Sequence, residues 1–453
     1  MFILILRVNR SVFTLDLYLL IAFITETDMT NSTTRGIHWF RHDLRTIDNQ
    51  ALARLTQETK YHIGVYIFDP SLLVENTWGC IHLGPYRKAF IESAVLDLQQ
   101  RMRALGSDLI ILEGEPTAVI EKLARTNHLS HISYEFHSGW NERKAVKKLS
   151  DILPDVDFLM GQSNYLYDHE NLPFALENMP DTFSPTRRKL EKYAQPRLPV
   201  DKFGSSSVLD LNLNDTQEYA FSSNEVLGAY SGGESAALSR IDDYFFATDG
   251  IASYKETRNG LDGWDFSSRL SAFLAHGCVS PATVLAKLKQ YEAERVANDS
   301  TYWLFFELLW REFFHLQHIK HGIAFFEFGG VQNTKPRTHF VKNVFDSWCA
   351  GETGFAIVDA SMRQLNQTGF MSNRARQLVA SCFVHELGLD WRYGAAYFEQ
   401  QLIDFDVASN WGNWQYLAGV GADPRGHRQF NLQKQTEIYD PKSEFIERWL
   451  GAS

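Results

Sequence analysis

Leu402-Ile403-Asp404-Phe405-Asp406-Val407-Ala408-Ser409-Asn410-Trp411-Gly412-Asn413-Trp414-Gln415-Tyr416 decides how the second half of this chain is read. Asp406, Asn410 and Trp414 recur at every fourth residue, a spacing that lines them along one face of a helix. An acid, an amide and an indole then face one partner. A buried helix whose polar residues satisfy one another would give the same pattern, so the neighbouring segments carry the decision. Upstream lie Asp390-Trp391-Arg392 and Thr368-Gly369-Phe370-Met371-Ser372-Asn373-Arg374-Ala375-Arg376. Earlier still, Glu307, Trp310, Arg311 and Phe314 stand at i, i+3, i+4 and i+7, so a carboxylate and a guanidinium share a helical face with two aromatics. Such charges are costly to bury unpaired. The plain structural reading is an i,i+4 salt bridge on a partly solvated helix.

Working outward, 453 residues exceed one compact core and suggest two or three units, for which a hydrophobic fraction of 44% supplies the material. Lys and Arg total 44 against 55 Asp and Glu, a net charge of −11 that disfavours indiscriminate binding to nucleic acid or anionic membrane. Any DNA contact then needs a local basic patch. Cys80, Cys278, Cys349 and Cys382 are scattered and form no C-x-x-C pair, so neither a metal site nor a disulfide framework is expected. A reducing cytoplasm is the expected compartment and a monomer the expected state. Val12 to Ile24 is mostly apolar and follows Arg7 and Arg10 in the manner of a signal peptide, but Asp16 interrupts it and it is short for a membrane span. Residues 1–35 are expected to be an N-terminal extension, disordered or upstream of a true start at Met29.

From residue 36 to 163 short apolar runs alternate with amphipathic stretches. Residues 36–40, 63–68, 109–112, 132–134 and 157–160 read as strands, and 49–55, 86–105, 117–124 and 142–149 as helices. This rhythm implies a parallel sheet with helices on both faces, because parallel strands need crossovers. Residues 164–233 read as an interdomain connection, more ordered before Pro199 than after it, with 204–207 its most mobile part. From 234 to 453 the pattern is helical throughout.

Taken in order, these segments resemble the photolyase/cryptochrome family over roughly residues 36–450. Trp39-Phe40-Arg41-His42-Asp43-Leu44-Arg45 with Asp48-Asn49-Gln50 is similar to its amino-terminal signature; alone it would pass for a solvated turn at a strand end. The resemblance implies an α/β antenna domain followed by an all-α FAD-binding domain. It implies flavin contacts from Tyr254, from Ser267, Ser268, Arg269, Leu270 and Ser271 around the phosphates, and from Arg311, Asn373, Arg376, Asp404, Asp406 and Asn410 around the rings. N-capping by Ser267 or Ser268 is the plain alternative for the phosphate segment. Asp404 is implied to pair with Arg376, Asp406 to accept from the ring edge, and Asn410 to sit against N5. In Asn141-Glu142-Arg143, Glu142 is implied to hold an antenna methenyltetrahydrofolate, and a first-turn acid would serve the helix dipole equally.

The same resemblance implies that Glu307 and Trp310 meet a flipped pyrimidine dimer, with Arg374, Gln377, Tyr416, Arg425 and Arg428 also on the DNA side and Lys434 completing the basic patch. Trp414 and Trp391 match the inner and middle members of an electron-carrying tryptophan chain, but the third position falls at Thr338-His339-Phe340, without an indole. Tyr416 and Gln377 resemble the cryptochrome DASH branch. The implied activity is light-driven splitting of cyclobutane pyrimidine dimers, preferably in single-stranded DNA. A blue-light receptor without repair activity and a (6-4) photolyase are the alternatives, and Ser372, where the latter would be expected to offer a histidine, weighs against it.

Overall fold

Strand β1 (Arg35–Phe40) sends Ile37 and Trp39 into one core and Phe40 into another, because successive side chains of a strand point to opposite faces. This computed structural model describes residues 34–200, 204, 207–221, 230–423 and 428–451. Arg35, expected in the extension, is the first residue of β1, and Thr34 accepts a backbone bond from Tyr61. The rest of that extension lies outside the described residues.

β2 (Tyr61–Phe68), β3 (Leu109–Glu113), β4 (His131–Glu135) and β5 (Asp157–Gly161) complete a parallel array in the order β5-β4-β1-β2-β3. The register places Ile37 opposite both Ile63 and Ile132. The crossovers are helices α1 (Gln50–Glu58), α2 (Pro85–Ala104), α3 (Pro116–Thr126) and α4 (Trp140–Ile152). Asn49 caps α1 by accepting from Leu52 N.

The connection is more structured than its composition suggested. It holds helix α5 (Phe183–Tyr193), then β6 (Ser207–Val208) and β7 (Gln217–Glu218), which return to the sheet. β6 takes the start of β2 that β3 does not reach, and β7 runs antiparallel along β3. Within 204–207, Gly204 N donates to Thr56 Oγ1 at 2.7 Å and Ser207 begins strand β6. Residues 205–206 lie outside the described residues.

The rest is helical: α6 (Glu234–Ile241), α7 (Tyr254–Thr257), α8 (Ser271–Ala275), α9 (Pro281–Glu294), α10 (Asp299–His321), α11 (Lys342–Ala350), α12 (Ala356–Thr368), α13 (Asn373–Ser381), α14 (Trp391–Gln401), α15 (Val407–Ala418), α16 (Leu432–Tyr439) and α17 (Glu444–Leu450). One core joins the inner face of the sheet to α2, α9 and α10, so the two halves share buried surface. A second core lies among α11 to α15.

The turn after β1 locks the halves together and is not solvated. Arg45 is 1% exposed and donates to Asn164 Oδ1 at 2.8 Å, Ser163 Oγ at 2.8 Å and Gly277 O at 3.0 Å. Asp48 pairs with Arg197 and accepts from Ser280, while Glu234 accepts from Thr46 N and Ile47 N at 2.9 and 2.7 Å. Gly277, at φ +66°, lets the helical half approach so closely that a Cβ there would overlap His42 O.

Candidate functional site

Two adjoining cavities of about 280 and 110 Å³ open between α10, α13, α15 and the segment ahead of α8. They bring together every residue expected around a flavin. Tyr254, Ser267 to Ser271, Arg311, Asn373, Arg376, Asp404 and Asp406 line the larger; Asn410 and Trp414 line the smaller, which shares Asn373, Arg376, Asp404 and Asp406.

The phosphate-type segment is shaped by its loop and not by helix capping. The N-cap of α8 is Leu270, without a side-chain cap bond, so neither Ser267 nor Ser268 is a cap. Arg269 takes φ +59°, and its guanidinium bonds the carbonyls of Trp264 and Gly263 while lying 3.9 Å over Phe370. Its charge is thus directed into the loop. Arg240, which sequence reasoning missed, holds the segment from beneath by donating to Ser268 O at 3.1 Å and Ser267 O at 3.2 Å.

On the other wall, Arg376 Nη2 meets Asp404 Oδ2 at 2.8 Å. The second oxygen of Asp404 is buried at the cavity with no partner among the described residues. Asp406 is the N-cap of α15, accepting from Ser409 N at 2.7 Å. The face inferred from four-residue spacing therefore begins at the cap. Burial opposes the Asp406 charge, but His315 and Arg311 hold its carboxyl well below the usual range. Asn410 donates to Ala395 O at 3.0 Å.

At the mouth, Glu307 does not form the i,i+4 bridge with Arg311. It pairs with Arg258 at 2.8 Å, while Arg311 donates to Asn164 O at 2.8 Å. Burial pushes the Glu307 carboxyl up, opposed by Arg258. Trp310 also lines the cavity, and Phe183 of α5 stacks on it at 3.7 Å. Neither Arg258 nor Phe183 carried a spacing signal; both reach the site by tertiary packing.

The expected basic patch is largely engaged elsewhere. Arg374 donates to Gln377 Oε1 at 2.8 Å and Asn259 Oδ1 at 3.2 Å, and lies 4.7 Å over Tyr439. Arg428 pairs with Asp423, donates to the Tyr416 hydroxyl and lies 4.1 Å over its ring. Lys434 is exposed, and Arg425 lies outside the described residues. Among the tryptophans, Trp414 packs against Trp348, Phe383 and Phe398, whereas Trp391 meets Trp411 edge-on at 5.7 Å and donates to Phe328 O.

Glu142 stands apart, in the first turn of α4. His42 Nε2 lies 3.3 Å and His137 Nδ1 3.9 Å from its Oε1, and the two rings stack at 4.2 Å. Burial opposes the charge, yet these histidines hold the carboxyl below its usual range. The trio resembles a metal-ligand set in composition. However, the Nδ1 lone pair of His137 accepts from Gly139 N, and Arg41 and Arg143 flank the group, which suits an organic ligand better than a dication. Nearby, Arg143 Nε and both ring nitrogens of His318 are buried without hydrogen-bond partners among the described residues.

Against known proteins, residues 303–452 match the FAD binding domain of DNA photolyase and residues 36–202 match DNA photolyase. Cryptochrome DASH of Idiomarina loihiensis is 45% identical, covering 92% of both chains. The chain belongs to the photolyase/cryptochrome family. A crystal structure of the Synechocystis cryptochrome superposes with a TM-score of 0.87 at 38% identity, over 92% of this chain and 89% of that one. A class III photolyase from Agrobacterium tumefaciens gives 0.77 at 27% identity, over 92% and 87%. The cofactor is FAD, and the cavity suits it. The unpartnered Asp404 oxygen and ionised Asp406 offer acceptors for ring N–H groups, while the hydroxyls of Ser267, Ser268 and Ser271 offer donors to phosphate oxygens. Among the described residues no helix is long and apolar enough to cross a membrane.

Proposed function

We propose that this protein is a light-driven lyase that splits cyclobutane pyrimidine dimers in DNA, with single strands preferred. The observation that carries the reading is the larger cavity, in which Arg376, Asp404 and Asp406 share walls with Glu307 and Trp310. When bound, FAD supplies light-driven one-electron chemistry. Arg376 and Asp404 fix each other and leave one acceptor for the ring, Asp406 supplies a second, and Asn410 presents an amide that adds no charge beside N5. Trp310, braced on one face by Phe183, stacks with the extruded base. Glu307, its carboxyl raised by burial and held by Arg258, hydrogen-bonds the pyrimidine edge. Trp414 and Trp391 carry electrons toward the flavin pocket.

The strand preference follows from binding energy. Extruding a dimer from a duplex costs a few kcal/mol of unpairing and unstacking that a single strand largely avoids. Tyr416 offers a smaller stacking face than an indole and is held by Arg428; Gln377 is tied to Arg374. Less energy is left to offset extrusion, and each ~1.4 kcal/mol withheld lowers productive duplex binding about tenfold. The test compares dimer repair in matched single- and double-stranded oligonucleotides at fixed light and salt. Faster repair of single strands is expected. Equal efficiencies would remove the preference, and repair of neither would favour a blue-light receptor.

The group around Glu142 is proposed to hold methenyltetrahydrofolate, the Glu142 carboxylate accepting from the amine and amide edge of the pterin. Unpartnered Arg143 and His318 are further groups for such a ligand. A near-ultraviolet band released on denaturation, and absent in Glu142→Gln, is the expected signature.

A further inference from the structure

Asp406 does not stand alone behind the flavin cavity. His315, one turn after Arg311 on α10, places Nε2 3.0 Å from Asp406 Oδ2, an ion-pair distance whose alignment falls short of a hydrogen bond, and its Nδ1 lies 2.9 Å from Ser138 Oγ. Ser138 is fully buried, His315 is 1% exposed, and Ser138 belongs to the segment between β4 and α4. A row of three side chains therefore runs from the flavin pocket across the seam into the α/β half.

The chemistry of the row fixes its protons. A carboxylate is acceptor-only, so the ring nitrogen facing Asp406 must carry hydrogen. Burial lowers the ring's affinity for a second proton, opposed by Asp406, and in the singly protonated ring the proton sits on Nε2. Nδ1 is then bare and accepts from the Ser138 hydroxyl. The order resembles that of a hydrolytic triad, but the serine lines neither cavity described above, and orientation is the use its place supports.

We propose that His315 is a positioning residue for the flavin-facing Asp406, with Ser138 setting its tautomer from the other half of the molecule. The inference rests on Asp406 facing the flavin. A neutral N–H donor steadies the carboxylate without placing a second cation beside Arg311. The carboxylate stays ionised, and its remaining lone pairs stay aimed at the ring edge.

The test measures FAD affinity by flavin fluorescence and the visible flavin spectrum after reconstitution, with thermal unfolding as a control for folding. His315→Phe keeps the ring volume but loses both contacts, and should weaken FAD binding about tenfold and shift the flavin bands, as expected when a charge-assisted contact is lost. His315→Gln can still donate to Asp406 and accept from Ser138, and should restore both readouts. Ser138→Ala should fall between, and it carries the test if His315→Phe does not fold. A folded His315→Phe with parental affinity and spectrum overturns the proposal, as does a Gln variant no better than Phe, or a parental Ser138→Ala when Phe is unfolded. Asp406→Asn separates the layers: if it too is parental, the flavin-edge assignment itself fails, whereas a defect in Asp406→Asn alone overturns only the role of His315.

Discussion

Asp404 and Arg376 form the ion pair on which the ring-side wall depends. Arg376 is 25% exposed, so water partly compensates it when the pair is broken. Asp404→Ala should therefore cost about 1–3 kcal/mol, less than removing one partner of a fully buried pair. FAD retention, read from the ratio of flavin to protein absorbance, should fall sharply; full occupancy in a folded variant would contradict the assignment. Trp414 tests the other chemistry. Trp414→Phe preserves most packing against Trp348 and Phe398 but is far harder to oxidise, so bound flavin should remain while its photobleaching under reductant slows about tenfold or more, equivalent to ~1.4 kcal/mol of barrier per decade. Trp391→Phe should slow it as well. Parental rates in both would make the tryptophans packing residues only. At this scale much of the site was legible: four-residue spacing brought Asp406, Asn410 and Trp414 into view. It was blind to Arg258 and Phe183, which arrive from remote segments. His315 could have been found, since it follows Arg311 by one turn.

Among the elements, the strands and helices of the parallel array were readable because apolar runs and amphipathic stretches alternate cleanly. β6 and β7 were not, because two residues each are too few to show an alternating pattern. The turn after β1 was misread in its plain form as solvated, since Arg45 and Asp48 look like surface residues until α9 and the connection close over them. Its tightest point is Gly277, which combines positive φ with contact to the His42 and Asp43 backbone. Gly277→Ala should destabilise the protein by about 2–4 kcal/mol, because both strain and overlap act at one position. Thermal unfolding checks this, and an unchanged midpoint would mean the halves separate there without cost.

For the molecule as a whole, Glu312 is the charge to watch. It is fully buried and accepts from Leu166 N at 3.1 Å and Tyr167 N at 3.3 Å, tying α10 to the connection. Burial pushes its carboxyl up to about 7, against these bonds and Arg311. A group raised in the folded state contributes stability that is full below its ordinary value and is lost as pH rises through the folded one. Between pH ~4.5 and ~7 the parent should lose on the order of 3 kcal/mol from this group. Glu312→Gln should flatten that part of the stability profile, so its stability relative to the parent rises with pH; denaturant melts at pH 5 and 7.5 measure it, and parallel profiles would contradict it.

The way the sheet is finished also bears on how the chain is made. β3 presents an unpaired edge from the moment it forms, and β7 reaches it only after the intervening helices and most of the connection have been synthesised. Until then the edge is a template for any strand, including one from a neighbouring nascent chain. The short β7 thus serves as a late-arriving seal, and Gln217 and Glu218, exposed and polar, close that flank without extending an apolar ladder.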